Sequence, residues 1–136
     1  MSVAETYAPF VQTMPTVLVV EDERKMRFHL TEQIRRLGIE PLEAWGGFQA
    51  IRIAGQIKPD LILLDGLLPE MHGFEVSRMI RRIDSHYRPR IVLMTSIYKN
   101  VRYRNEAALK YGIDEYVIKP LGDDVVARLV GREVLA

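Results

Sequence analysis

Five side chains in this sequence suit phosphoryl transfer or the binding of a hard cation, and each directly follows a short apolar run. Val17-Leu18-Val19-Val20 leads to Glu21-Asp22, and Leu61-Ile62-Leu63-Leu64 leads to Asp65. Ile91-Val92-Leu93-Met94 leads to Thr95-Ser96, and Tyr116-Val117-Ile118 to Lys119-Pro120. A carboxylate such as Asp65 can attack phosphorus and form an aspartyl-phosphate. Three carboxylates brought close repel one another and hold protons more tightly unless a cation binds. Mg²⁺, or Mn²⁺ in its place, resolves that conflict, because it takes oxygen ligands and is commonly held by one or two carboxylates plus phosphate oxygens. Thr95 offers a hydroxyl donor and Lys119 a compact positive charge, which moving phosphoryl oxygens require.

Each feature alone has a plainer reading. A strand-end Asp is commonly a turn or cap residue, and an acidic pair before a helix favours its positive end. Thr95-Ser96 and Lys119-Pro120 read equally as turns. It is the four endings in order that point to chemistry, because parallel strands present their carboxyl ends along one shared edge.

Short apolar runs bounded by polar residues, Gly or Pro read as buried strands. The expected strands are Thr16–Val20, an edge strand Ile39–Ala44 that tolerates Pro41, Leu61–Leu64, Ile91–Met94 and Tyr116–Ile118. The first helix is expected over Arg24–Leu37, with Met26, Leu30, Ile34 and Leu37 on one face and Gly38 ending it. A second, Phe48–Ile57, is expected to turn Phe48, Ile51 and Ala54 inward, before the breaker Lys58-Pro59-Asp60. A third, Phe74–Ile83, is expected to bury Val76, Met79, Ile80 and Ile83, with Arg78, Arg81 and Arg82 as solvated charge. A fourth falls within Val101–Tyr111 and stops at Gly112, and a fifth over Asp123–Leu135 turns Val125, Val126, Leu129 and Val130 inward. Trp45 is expected to cover an edge of the sheet. Strands alternating with helices predict an α/β fold with a parallel five-stranded sheet and right-handed crossovers.

Composition narrows the function classes. The chain has 136 residues, 48% of them apolar, which suits one domain with a real core. A net charge of +1 and the lack of a helix-turn-helix pattern argue against direct nucleic-acid binding. No cysteine is present, so there is no disulfide framework and no thiolate metal site, which fits a cytoplasmic protein. No apolar stretch is long enough to span a membrane. Residues 1–15, with Pro9 and Pro15, read as a flexible leader, and residues 16–136 as the folded domain.

The sequence resembles the receiver domain of two-component response regulators, the chemotaxis-regulator-like family. The resemblance rests on Val20-Glu21-Asp22-Glu23 with Arg27, Ala44-Trp45-Gly46-Gly47 with Ala50, and Pro59-Asp60 leading to Asp65. It continues through Pro69-Glu70-Met71-His72-Gly73, Thr95-Ser96, and Gly112-Ile113-Asp114-Glu115-Tyr116-Val117-Ile118-Lys119-Pro120. It implies the flavodoxin-like, doubly wound fold with strand order 2-1-3-4-5 and five helices. Asp65 matches the phosphoacceptor, loaded by a sensor histidine kinase, a phosphotransfer protein or a small phosphodonor. Glu21 and Asp22 match the acidic pair of the Mg²⁺ site, which the Leu67 carbonyl completes. Thr95 matches the switch hydroxyl, Lys119 the phosphoryl-contacting lysine, and Tyr116 the aromatic that turns inward on activation. A cis Lys119-Pro120 bond would aim the lysine.

The implied function is a phosphorylation-dependent switch that catalyses only its own phosphorylation and dephosphorylation. It would change the surface between the helix within Val101–Tyr111 and the fifth strand, and so control a partner or an effector domain beyond Ala136. Tyr98, Lys99, Arg102, Tyr103, Arg104 and Lys110 form the expected partner face, since Tyr and Arg are favoured at binding hot spots. A dimer is compatible with this reading. The chain departs from the family pattern at Glu21 (Asp is more usual), at Gly46 and His72, and in a long segment between Thr95 and Lys119. A flavodoxin-like FMN binder would want a Gly/Ser/Thr-rich loop where Glu21-Asp22-Glu23 stands, and a dehalogenase-type phosphatase would want a second Asp where Leu67 stands. A receiver used purely for docking, without phosphorylation, is the remaining alternative; its usual mark is loss of an acid, the hydroxyl or the lysine, and all are retained.

Overall fold

The computed structural model describes residues 14–96 and 110–131. The chain alternates β1 (Val17–Val20), α1 (Arg24–Arg35), β2 (Leu42–Ala44), α2 (Gly47–Ile57), β3 (Leu61–Asp65), α3 (Gly73–Arg81), β4 (Arg90–Thr95), β5 (Glu115–Ile118) and α4 (Asp123–Val130). All strand pairs are parallel, in the order β2-β1-β3-β4-β5, as expected from the sequence. Lys110 and Tyr111 are helical, whereas the rest of the helix expected within Val101–Tyr111 lies outside the described residues. So do residues 1–13 of the expected leader and positions 132–136 of the expected last helix. Among the described residues, no helix is long and apolar enough to cross a membrane.

Alternation along the strands divides the core between the two sheet faces. Val17, Val19, Leu61, Leu63, Val92, Met94 and Val117 pack with Leu30, Ile34, Val126 and Leu129 of α1 and α4. Leu18, Val20, Ile62, Leu64, Ile91 and Leu93 pack with Ala50, Ala54, Val76 and Ile80 of α2 and α3. With both faces covered, the three central strands are apolar throughout their middles, and polar residues stand only at their ends.

Two inward assignments change. Phe48 is 58% exposed, because α2 begins at Gly47 and buries the small residues Gly47, Ala50 and Ala54. A Cβ on Gly47 would lie 2.9 Å from Val76 Cγ2, so this helix packs through its smallest side chains. Met79 is 41% exposed, because α3 buries Gly73, Val76, Ser77 and Ile80 on a face one position away. Trp45, directly after the edge strand β2, is 58% exposed, and the Arg27 guanidinium lies 5.3 Å from its ring centroid.

The helix stops follow backbone chemistry. Gly38 takes φ +84° beyond α1, and Lys58 takes the left-handed conformation after α2, its N–H donating to Ala54 O at 3.0 Å. Gly131, with φ +73°, caps α4 after Val130, earlier than the expected end at Leu135. Arg81 is not solvated charge. Its guanidinium donates to Gly112 O (2.7 Å), Pro89 O (2.6 Å) and Asp114 Oδ2 (2.7 Å), and Asp114 in turn accepts the Ile91 N–H at 2.7 Å. This network ties α3 to the entrances of β4 and β5. Arg81→Ala leaves those carbonyls without their donor and is expected to lower stability by about 2–3 kcal/mol, read as a shift in the urea unfolding midpoint.

Gly73 sets how closely α3 approaches β3. A Cβ there would lie 2.5 Å from Asp65 O and 3.0 Å from Gly66 Cα, and neither is a flexible side chain that could yield. Gly73→Ala is expected to cost about 3 kcal/mol, the upper end of ordinary overpacking. It should also perturb the amide resonances of Asp65 to Leu67 in NMR spectra.

Candidate functional site

The register carries the chemistry to one edge. Val20 pairs with Leu64, so Glu21 and Asp65 emerge side by side. Thr95 pairs with Ile118, and the Lys119 N–H donates to Thr95 O at 2.8 Å, so lysine and hydroxyl residue leave adjacent strands together. Glu21, Asp22, Glu23, Asp65, Leu67, Thr95, Ser96 and Lys119 line a cleft of about 250 Å³. It is the polar mouth of an otherwise apolar sheet.

Lys119 organises this cleft. Its Nζ donates to Glu21 Oε1 and to Asp65 Oδ1, each at 3.1 Å, and the side chain is largely buried. The Lys119–Pro120 bond is cis, as the sequence reading anticipated. Asp65 Oδ1 also accepts the Leu67 N–H at 3.1 Å. Glu21, Asp22 and Asp65 each place a carboxylate oxygen within 4.8 Å of the others. Asp22 is the exposed member of this set, and Glu21 is 1% exposed.

Electrostatics separates the two buried acids. Burial, followed by the hydrogen bond and negative charge of Asp65, pushes Glu21 up to about 8. Burial acts to raise Asp65 as well. Hydrogen bonds from Glu21, the Leu67 N–H and Lys119 outweigh it and hold Asp65 below the usual carboxylate range. For Lys119 burial disfavours the charge, but its contacts with Glu21 and Asp65 overcome this and raise its proton affinity. The two acids are thus driven apart, Glu21 toward its protonated form and Asp65 toward its ionised one.

Thr95 is half-buried at the cleft wall, and Tyr116 is half-buried against the core on the α2–α3 face. The expected partner-face residues Tyr98, Lys99, Arg102, Tyr103 and Arg104 lie outside the described residues. Lys110 is exposed, with its ammonium 5.3 Å from the Tyr111 ring centroid.

Two supporting residues escaped the sequence reading. Arg27, noted only as part of a motif, donates to Glu21 O at 2.8 Å and pairs with Glu43 at 3.4 Å, fixing the backbone beneath the acidic pair Glu21-Asp22. Gln33, a polar residue among the apolar positions of α1, donates to Leu121 O at 2.8 Å and Asp123 Oδ1 at 2.9 Å. Its position in an amphipathic pattern was the available signal, since a buried amide needs polar partners.

Comparisons with known proteins agree with this geometry. The response regulator receiver domain family matches residues 17–130. The transcriptional regulatory protein AfsQ1 of Streptomyces coelicolor is 36% identical over 108 residues, 79% of this chain and 46% of its own. The phosphate regulon transcriptional regulatory protein PhoB of Pseudomonas aeruginosa is 35% identical over 115 residues, covering 84% of this chain and 49% of its own. This chain therefore spans about half the length of those relatives. Among solved structures, Vibrio cholerae chemotaxis protein CheY4 superposes with a TM-score of 0.78 at 22% identity, over 85% of this chain and 95% of its own. The receiver domain of the sensor histidine kinase PA1611 of Pseudomonas aeruginosa, solved with magnesium coordinated in its active site cleft, gives 0.72 at 27% identity over 88% and 99%. The family match over most of the chain, the strand order and the clustered acids and lysine have one common explanation: this chain belongs to the response regulator receiver domain family.

Proposed function

We propose that this domain is a phosphorylation-dependent switch in which Asp65 accepts a phosphoryl group from a histidine kinase or phosphotransfer protein. The observation that carries the reading is the Lys119 ammonium seated 3.1 Å from both Glu21 and Asp65, beside the exposed Asp22. That arrangement leaves one ionised nucleophile with a cation at its side. A docking module that is never phosphorylated has no need to keep it.

The donor set suits Mg²⁺. Three carboxylates of hard oxygen meet at an open cleft, and neither cysteine nor histidine lies among them. Glu21, Asp22, Asp65 and the Leu67 carbonyl would hold the ion, which supplies charge neutralisation for phosphoryl oxygens. The longer Glu21 side chain reaches the same cleft that an Asp would serve.

Asp65 Oδ1 is committed to Lys119 and the Leu67 N–H, which leaves Oδ2 to attack. A new O–P bond forms at Asp65 as the P–N bond of the phosphohistidine breaks, and the departing imidazole keeps the bonding electron pair. Lys119 then turns from the carboxylate toward the new phosphoryl oxygens, and Thr95 donates its hydroxyl to another. The added charge of about −1.5 to −2 at neutral pH draws Thr95 inward and frees space for Tyr116. The signal passes through β5 and residues 97–110 to an effector domain or partner protein, in the cytoplasm. The transcriptional regulation named for two of the relatives is, on this reading, an output of the parts of those proteins that this chain does not span.

Acetyl phosphate with Mg²⁺ is expected to label the wild-type protein, and Asp65→Asn is expected to abolish the label, as read by intact-protein mass spectrometry. Persistence of the same label in Asp65→Asn would sink the assignment, and failure of any donor to label the wild type would favour the docking module. Lys119→Met is expected to bind Mg²⁺ yet lose phosphorylation-induced shifts at Thr95 and Tyr116 in NMR spectra.

Glu21 gives a pH signature. Its folded-state pKa of about 8 stands above the ordinary value of 4.5. Its proton therefore stabilises the metal-free fold fully below about 4.5, and that contribution is lost as pH rises through about 8. Mg²⁺ must displace the same proton, so its affinity should climb toward pH 8 and then level off. Denaturation midpoints and Mg²⁺ titrations across pH should show both trends, and Glu21→Gln should flatten them.

A further inference from the structure

Behind the acidic cleft lies a second, very small cavity of about 10 Å³, lined by Glu21, Met26, His29, Leu30, Gln33, Met94, Lys119, Pro120 and Leu121. Its size is that of roughly one water molecule. Two of its lining residues hold the buried side-chain atoms that lack a hydrogen-bond partner among the described residues: Glu21 Oε2 and Gln33 Oε1. Both residues are more than nine-tenths buried. Leaving such atoms unpaired is unfavourable, because each has given up its hydrogen bonds to water.

The two atoms cannot satisfy each other when Glu21 is ionised, because both are then acceptors. The orientation of the Gln33 amide is determined by its surroundings: its nitrogen donates to Leu121 O and Asp123 Oδ1, both acceptors, so its oxygen must face the other way. Glu21 Oε1 is already taken by Lys119. What the pair requires is a small group that can both donate and accept, seated between them.

We infer that this cavity is a hydration site, in which one buried water bridges Glu21 Oε2 and Gln33 Oε1, donating to the glutamine oxygen and either accepting from a protonated Glu21 or donating to its ionised carboxylate. Gln33 is then a positioning residue for the cation-binding glutamate. Through it, Glu21 is joined to Leu121 and Asp123, at the start of α4 directly beyond Lys119–Pro120. The chain Glu21–water–Gln33–Leu121 gives the cleft a second connection to the segment that carries Lys119, independent of the lysine itself. The hydration site stands on the cavity and its two unpartnered oxygens alone, whereas its consequence for metal binding rests on the proposed Mg²⁺ site.

The direct test is water-to-protein NOE spectroscopy on the wild-type protein. A long-lived water with cross-peaks to the Gln33 side-chain amide protons, together with a density peak bonded to Glu21 and Gln33 in a high-resolution crystal structure, is the expected result. Absence of both overturns the proposal, whether or not the protein binds Mg²⁺. Gln33→Met keeps the volume and removes the acceptor; it is expected to lose the water and to weaken Mg²⁺ affinity about tenfold. Leu30→Ala, matched for loss of stability, should leave the affinity near wild type. Equal Mg²⁺ affinity in Gln33→Met and wild type would overturn the positioning role while leaving the Mg²⁺ site intact. If Gln33→Met does not fold, the wild-type NOE and density decide the matter.

Discussion

The Lys119 ammonium between Glu21 and Asp65 is the interaction on which the site depends. Two carboxylates side by side at the end of a buried sheet would be costly, since burial and mutual repulsion both disfavour their charges. The ammonium, 3.1 Å from each, offsets that cost and allows Asp65 to stay ionised. Burial and the neighbouring Asp65 leave Glu21 with a raised proton affinity, which relieves the remaining repulsion. The geometry requires β1 and β3 to be neighbours and β5 to finish where its lysine can reach back over β4. The order β2-β1-β3-β4-β5 meets both conditions.

The rest of the architecture holds that constellation still. Gly73 lets α3 begin against the Asp65 carbonyl, and Gly73 N–H donates to Gly66 O at 3.1 Å, closing the loop that carries Leu67. Arg81 and Asp114 lock the opposite, amino-terminal ends of β4 and β5. Arg27 secures the Glu21 carbonyl. These contacts use backbone carbonyls and single polar side chains at the ends of elements, while purely apolar packing supplies the middle. The result is a packed frame around a cleft that holds a few polar groups within reach of one another.

The two helix faces misassigned from the sequence show where pattern reading loses its footing. For α2, the reading favoured the large apolar Phe48, but the inter-helix distance set by Gly47, Ala50 and Ala54 admits only small residues there. For α3, Met79 and Ile80 are equally apolar neighbours, and only the position of the sheet decides which of them is buried. Arg81 shows the same limit for charge: nothing local distinguishes it from Arg78 or Arg82, yet it alone of the three reaches the Gly112 carbonyl.

The sequence by itself determined the alternation of strands and helices, the polar endings of the four apolar runs and the family they match. Buried parallel strands must be apolar throughout, so any charged residue at their ends is conspicuous. Tertiary structure alone decided how charge is shared within the site, because that depends on distances between residues far apart in the chain. Lys119 and Glu21 are 98 positions apart, and Gln33 and Leu121 are 88 apart. Only the packed fold shows that the proton affinity of one carboxylate is raised, that of its neighbour lowered, and that a glutamine on α1 stands behind them.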